Sequence, residues 1–190
     1  MRSRRRRPIA LVVAVLALSA ATLSACLPPG SQGWRTYTYS VVTDGPVQSD
    51  LNEFRAVAAS VYGDERSWHQ AGINFVEVPD GGDFTLVLAS AGEVPKYAPG
   101  VCDTVYSCQD GRFVVINDDR WAIGSWNWPA PLFAYRVMVL NHELGHWLGL
   151  GHAYCDGPGQ PAPVMQQQSI NMQGCETNPW PLPWELDRVR

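Results

Sequence analysis

Residues 142–152 read HELGHWLGLGH, and this stretch determines which fold class we expect. On a helix, His142 and His146 lie one turn apart, so both imidazoles can reach a single metal ion. Gly149 can adopt the positive φ that ends a helix, which lets the chain turn and bring His152 to the same ion. Three histidine ligands leave a fourth position for water, as in catalytic rather than closed structural zinc sites.

The spacing H-E-x-x-H-x-x-G-x-x-H is the metzincin form of the zinc-protease motif, and at these residues the chain resembles metzincins. The metal prediction is one Zn²⁺ per chain, held by His142, His146 and His152. Glu143, next to the first ligand, is predicted to be the general base for a zinc-activated water. The chain has four histidines, and three of them lie in this string.

The resemblance also implies a Met-turn, a tight turn with a methionine beneath the metal. Pro163-Val164-Met165 aligns with it, with Met165 as the methionine and Met172 as the other candidate. The chain departs from familiar metzincins at two places. Ala153 follows the third ligand where an acidic residue is common, and no Tyr closely follows Met165 to act as an extra ligand.

The resemblance extends beyond the metal motif. Together with that motif, residues 112–117, 161–168 and 178–184 resemble an uncharacterised family of secreted bacterial proteins that is grouped with metzincin-like proteases. It covers most of the chain after the leader. It implies a fold and a metal, and it leaves the substrate open.

The N-terminus has the pattern of a targeting segment. Five arginines precede the apolar stretch 9–18, IALVVAVLAL, which is too short to span a bilayer as a stable anchor. The following Leu23-Ser24-Ala25-Cys26 resembles a bacterial lipobox, in which cleavage precedes a lipidated cysteine. We predict a lipoprotein signal peptide over 1–25, lipidation at Cys26 and a tether over 26–33. The alternative is an ordinary secretory signal, and the export route stays open.

Composition and charge limit the partners. Cleavage before Cys26 leaves 165 residues, the size of one domain. The leader contains five of the 14 basic residues and no acid, so nine basic residues remain against 18 acidic ones. Such a charge argues against nucleic acid or an anionic membrane surface as partner. We expect a monomer that contacts the membrane only through its lipid.

Cysteine usage agrees with export. Apart from Cys26, the chain has four cysteines, an even number that is typical of an oxidising compartment. Four cysteines allow three pairings. Sequence proximity favours Cys102–Cys108 and Cys155–Cys175.

The order of predicted elements gives the fold class. Patterning predicts strands at 34–43, 73–78, 84–89 and 113–117 and an amphipathic helix at 50–62. A helix at about 131–148 carries the metal motif and is apolar nearly all round, which predicts burial on both sides. We therefore predict an α+β, metzincin-like zincin over 34–190. It should have a twisted mixed sheet, a buried metal-binding helix and a loop-rich C-terminal subdomain.

Within the metal-binding helix, one stripe is predicted to pack on the sheet while the histidines face a cleft. Its residues are Phe133, Val137, Leu140, Leu144, Trp147 and Leu148. By resemblance, substrate would lie extended along an edge strand, for which 113–117 is the candidate.

These inferences predict an extracellular zinc endopeptidase, anchored as a lipoprotein on the outer face of a bacterial cell membrane, or else secreted, with a peptide or protein substrate. Two alternatives stay open. One is a surface lipoprotein that acts as a binding module and holds a structural zinc. The other is a zinc peptidase that acts on cell-wall peptides. Glu143 favours an enzyme, because it is the one motif residue needed only for chemistry.

Overall fold

The computed structural model describes residues 34–190, so the predicted signal peptide, Cys26 and the tether lie outside the described residues. The described part is an α+β fold with a five-stranded sheet, as predicted. Its strands are β1 (Arg35–Asp44), β2 (Ile73–Glu77), β3 (Phe84–Ala89), β4 (Cys108–Asp110) and β5 (Phe113–Asn117). Its α-helices are α1 (Leu51–Tyr62), α2 (Asp118–Ile123), α3 (Leu132–Trp147) and α4 (Pro183–Val189). No helix among residues 34–190 is long and apolar enough to cross a membrane.

The sheet has the strand order β2-β1-β3-β5-β4 and is mixed. The first four strands in this order pair in parallel, and β4 pairs antiparallel with β5. The prediction that 113–117 is an edge strand is therefore wrong, because β5 lies between β3 and β4. The edge next to β5 is formed by β4, Cys108–Asp110, which has only three residues and no apolar alternation that would reveal a strand.

Helix α1 begins where the sequence places a strong N-cap. The Asp50 carboxylate accepts hydrogen bonds from the backbone N–H groups of Asn52 and Glu53, at 2.7 and 2.9 Å. The side chains of Phe54 and Ala58 are fully buried against the core. The helix contacts both β2 and α3, so it flanks the helix that carries the metal motif.

Helix α3 is almost entirely buried from Tyr135 onward, which agrees with its nearly all-round apolar pattern. Val137, Leu140 and Leu144 enter the main core as predicted. Trp147 and Leu148 are partly buried against the same core. One residue of the predicted stripe is a correction. Phe133 is 58% exposed, because it lies in the first turn of α3, before the buried part of the helix begins at Tyr135.

The region after His152 has little regular structure. Apart from α4, it consists of turns and a single bridge between Pro161 and Glu176. It is cross-linked by a Cys155–Cys175 disulfide, and a second disulfide joins Cys102 to Cys108. Both are the pairings that sequence proximity favoured.

Candidate metal centre

The three motif histidines meet because α3 ends directly after the second of them. His142 and His146 lie one turn apart on α3, and the helix closes at Leu148. Gly149 has φ +95°, a conformation that residues with a side chain rarely adopt, and its N–H donates to the His146 carbonyl at 2.9 Å. The chain reverses there and places His152 opposite the helix. The metal-ligating atoms of the three imidazoles lie within 4.8 Å of one another.

Hydrogen bonds fix which nitrogen of each helical imidazole faces inward. Nδ1 of His142 lies 2.8 Å from the Val164 carbonyl oxygen, and Nδ1 of His146 lies 2.8 Å from that of Leu150. A carbonyl oxygen can only accept, so each Nδ1 carries the hydrogen in the neutral ring and each Nε2 presents a lone pair. The Nε2 of His146 is 3.1 Å from the Nε2 atoms of both His142 and His152.

This donor set fits a zinc ion. Two lone pairs that face each other at 3.1 Å repel unless a cation lies between them. A tetrahedral zinc with Zn–N bonds of about 2.0–2.1 Å would hold its nitrogens about 3.3 Å apart, close to the distances found. Burial and the neighbouring His146 lower the pKa of His142 to about 3, and burial also lowers the pKa values of His146 and His152. At neutral pH all three rings are therefore uncharged, the form that binds metal.

Glu143 lies beside the first ligand, is 5% exposed and lines the same cleft as the three histidines. Burial alone raises its pKa to about 8, because no hydrogen bond or ion pair from the described residues offsets the desolvation. A bound cation close by would lower this pKa again. The carboxyl group therefore has no hydrogen-bond or ion-pair partner among the described residues and is free to take part in proton transfer.

Met165 lies directly beneath the metal-binding turn of α3 and is 1% exposed. A Cβ atom on Gly145 would overlap the Met165 sulfur and come within 2.8 Å of the Trp68 ring. Gly145 is therefore required so that the methionine and Trp68 can pack against the helix between the two histidines. The sequence predicted a role for Met165, whereas the role of Gly145 becomes visible only when its spatial neighbours are known.

The histidines open into a cleft of about 300 Å³. One wall is the segment 101–109, which contains the Cys102–Cys108 disulfide and reaches edge strand β4. The other wall is the segment 166–170, which follows the predicted Met-turn. The floor is α3, with Met138, Val139 and the motif residues. The centre therefore faces a space that an extended segment could enter beside edge strand β4.

Two groups of residues at the site were not predicted from the sequence. The segment 166–170 begins with three glutamines, of which Gln166 and Gln168 are buried and hydrogen-bonded to backbone groups. Glu185 is fully buried and contacts the turn at Met165. The sequence does contain a helix-start signal for α4, because Pro183 occupies the first helical position and Glu185 follows in the first turn. Nothing in the local sequence indicated which groups Glu185 contacts.

Comparison with known proteins agrees with this architecture. Among solved structures, the chain is similar to archaemetzincin from Methanopyrus kandleri, with a TM-score of 0.51 and 17% sequence identity over 86% of this chain and 97% of that one. At this identity the similarity concerns the fold, and it confirms the metzincin-like α+β prediction. A search of curated proteins by sequence gave no match. Residues 18–179 match a family profile, and the chain therefore belongs to the family described as "Protein of unknown function (DUF3152)".

Proposed function

We propose that this protein is a zinc-dependent endopeptidase with one Zn²⁺ per chain. The observation that carries the proposal is the convergence of His142, His146 and His152 at the floor of an open cleft, next to a buried carboxyl group. When bound, zinc would supply Lewis-acid chemistry, activating a water molecule and polarising the scissile carbonyl.

Glu143 is the proposed general base. Its carboxylate would take a proton from the attacking water and later deliver that proton to the nitrogen of the leaving amine. A purely structural zinc site does not need this group. The Glu143 carboxyl lines the cleft beside the histidines and makes no hydrogen bond or ion pair with the described residues, so it is available for a chemical role.

Strand β4 is the proposed substrate-binding edge. Its pairing with β5 leaves the opposite edge free of other strands among the described residues, and Ser107, Cys108 and Gln109 line the cleft. An extended peptide would add to this edge through backbone hydrogen bonds, with the scissile bond over the histidines. This assignment replaces the predicted edge at 113–117.

The experiment is a product analysis with the full chain. The zinc-loaded protein is incubated with peptide libraries and, separately, with purified cell wall, and products are identified by mass spectrometry. We expect one zinc per chain and internal cleavage of peptides that stops when a chelator removes the metal and returns when zinc is restored. Cleavage of cell-wall peptides alone would favour the narrower substrate class. Absence of bound zinc after purification and after reconstitution would refute the proposal.

We further propose that the chain is exported and anchored at Cys26. The basis is the sequence alone: the arginine-rich start, the apolar stretch 9–18 and the string from Leu23 to Cys26. In a bacterial host, Cys26→Ser should abolish labelling by a fatty-acid probe and release the protein from the membrane fraction, with zinc content unchanged. Unaltered membrane retention would contradict the anchor.

A further inference from the structure

The buried carboxylate of Glu185, in the C-terminal helix α4, makes more contacts than capping that helix requires. Its oxygens accept three backbone hydrogen bonds: from Leu182 at 2.7 Å, Val164 at 3.0 Å and Met165 at 2.9 Å. The first of these caps α4 itself. The other two reach back some twenty residues to the turn beneath the candidate metal centre.

One peptide group connects Glu185 to the first histidine. The N–H of Met165 and the carbonyl of Val164 belong to the same planar, trans peptide unit, so they point in opposite directions. The N–H donates to Glu185 Oε1, while the carbonyl accepts from His142 Nδ1 at 2.8 Å. The carboxylate thus reaches the imidazole through a single intervening peptide.

The same carboxylate also fixes the turn next to the third ligand. The Met165 carbonyl accepts the N–H of Ala153 at 3.1 Å, and Ala153 directly follows His152. The N–H groups of Val164 and Met165 both donate to Glu185, so this carboxylate holds one side of the turn. On its other side the turn contacts the segments that carry His142 and His152.

We propose that Glu185 is a positioning residue of the metal centre, acting on His142 through the Val164–Met165 peptide. Holding the N–H fixes the orientation of the carbonyl that selects the His142 tautomer, and the charge polarises that peptide so that its oxygen is a stronger acceptor. Carboxylates that hydrogen-bond a ligating histidine act in this way directly, and here a peptide group is inserted between the two. The proposal rests on the proposed zinc site.

Asp118 provides a matched control. It is also a buried carboxylate, 2% exposed, that holds two backbone N–H groups, those of Gln48 and Ser49, at 2.6 and 3.3 Å. These contacts fix the start of α2 and do not involve the histidines or the turn at Met165. Glu185→Gln and Asp118→Asn therefore make the same chemical change, one beneath the metal centre and the other remote from it.

The test measures metal binding by the full chain. Zinc affinity is determined by competition with a chelator, the visible absorption of the Co²⁺-loaded protein reports ligand geometry, and thermal unfolding of the metal-free protein reports stability. We expect Glu185→Gln to weaken zinc binding by about 10- to 100-fold and to shift the Co²⁺ spectrum. Asp118→Asn should lower stability comparably and leave both metal readouts unchanged.

Two results would contradict the proposal. Unchanged zinc affinity in Glu185→Gln, or an equal loss in Asp118→Asn, would reduce Glu185 to a structural role. If Glu185→Gln does not fold, Glu185→Asp keeps the charge on a shorter side chain. It should fold with weakened zinc binding, and wild-type affinity there would overturn the proposal. A wild-type chain that binds no zinc would instead refute the proposed function itself, and this inference with it.

Discussion

The two regions on either side of α3 are ordered by different forces. The sheet region is held by apolar packing. All six residues of β3 are buried, and Tyr39 stacks on Phe84 and contacts Tyr62 of α1 edge-to-face. In the region after His152, several of the buried side chains are polar, with Gln168 as an example. Its amide donates to the carbonyls of Pro163 and Asn178, and its oxygen accepts the N–H of Asn178.

The difference shows how the framework around the candidate metal centre is divided. Apolar packing is non-directional, so the sheet needs only correct patterning and volume. Hydrogen bonds are directional, so a loop region held by them is ordered only when each buried amide is correctly placed against all of its partners. We expect the sheet region to supply most of the stability and the region after His152 to orient the residues beneath the candidate metal centre. Substitutions in the two regions should therefore differ in how much unfolding free energy they cost and in how much of the domain they loosen.

The largest effect is expected at α3, between the two regions. Glu143→Ala should lower peptidase activity by about 10²- to 10⁴-fold, the usual contribution of a general base, while zinc content and the stability of both regions persist. The measurement combines peptide cleavage with metal analysis and circular dichroism. Glu176→Ala removes an exposed carboxylate and should leave cleavage unaltered. Equal cleavage by Glu143→Ala and the wild type would show that the base is wrongly assigned.

A core truncation in the sheet should reduce the stability of the whole domain. Leu86 is fully buried at the centre of β3, so Leu86→Ala should cost about 2–5 kcal/mol of unfolding free energy. Urea unfolding followed by circular dichroism and by tryptophan fluorescence should show both regions lost together. Val42→Ala, at a position 42% exposed on β1, is the control with little effect. Early loss of the C-terminal region alone in Leu86→Ala would contradict the assignment of stability to the sheet.

Removing the Cys155–Cys175 disulfide should act mainly on the C-terminal region. The bridge closes a loop of 20 residues that contains Met165, and in the chain-entropy account it contributes about 3 kcal/mol. In Cys155→Ser/Cys175→Ser we expect faster amide hydrogen exchange after His152 and faster zinc release, with exchange in the sheet little changed. Cys102→Ser/Cys108→Ser opens a loop of six residues and should cost less. Faster exchange throughout the sheet would oppose this expectation.

The smallest effect is expected from a single buried amide. Gln168→Ala leaves the backbone groups of Pro163 and Asn178 without their partner, at a cost of about 1–3 kcal/mol. Hydrogen exchange should report loosening confined to the segment around Met165. Gln160→Ala, at an exposed position in the same region, serves as its control. A neutral Gln168→Ala would mean that water replaces the amide without loss.

Periodicity was informative where one region packs on another through apolar side chains. The predicted strand at 84–89 and the predicted helix at 131–148 match β3 and α3 within a residue, because burial leaves a regular pattern. It gave no signal for Cys108–Asp110, which is a strand only because β5 lies beside it. Nor could it reveal the contacts of Glu185, because its partners are backbone N–H groups, which the sequence does not distinguish from one residue to another.

The sequence by itself determined the fold class and the set of residues able to hold a metal, because the spacing in 142–152 is a local property of a helix and its terminating glycine. It favoured the disulfide pairing that the structure confirms. Only the tertiary structure showed that β4 forms the edge next to β5, that Met165 and Trp68 leave no room for a side chain at Gly145, and that Glu185 contacts the turn beneath His142. These features depend on contacts between segments far apart in the chain. Such contacts form only when the apolar core has brought the segments together.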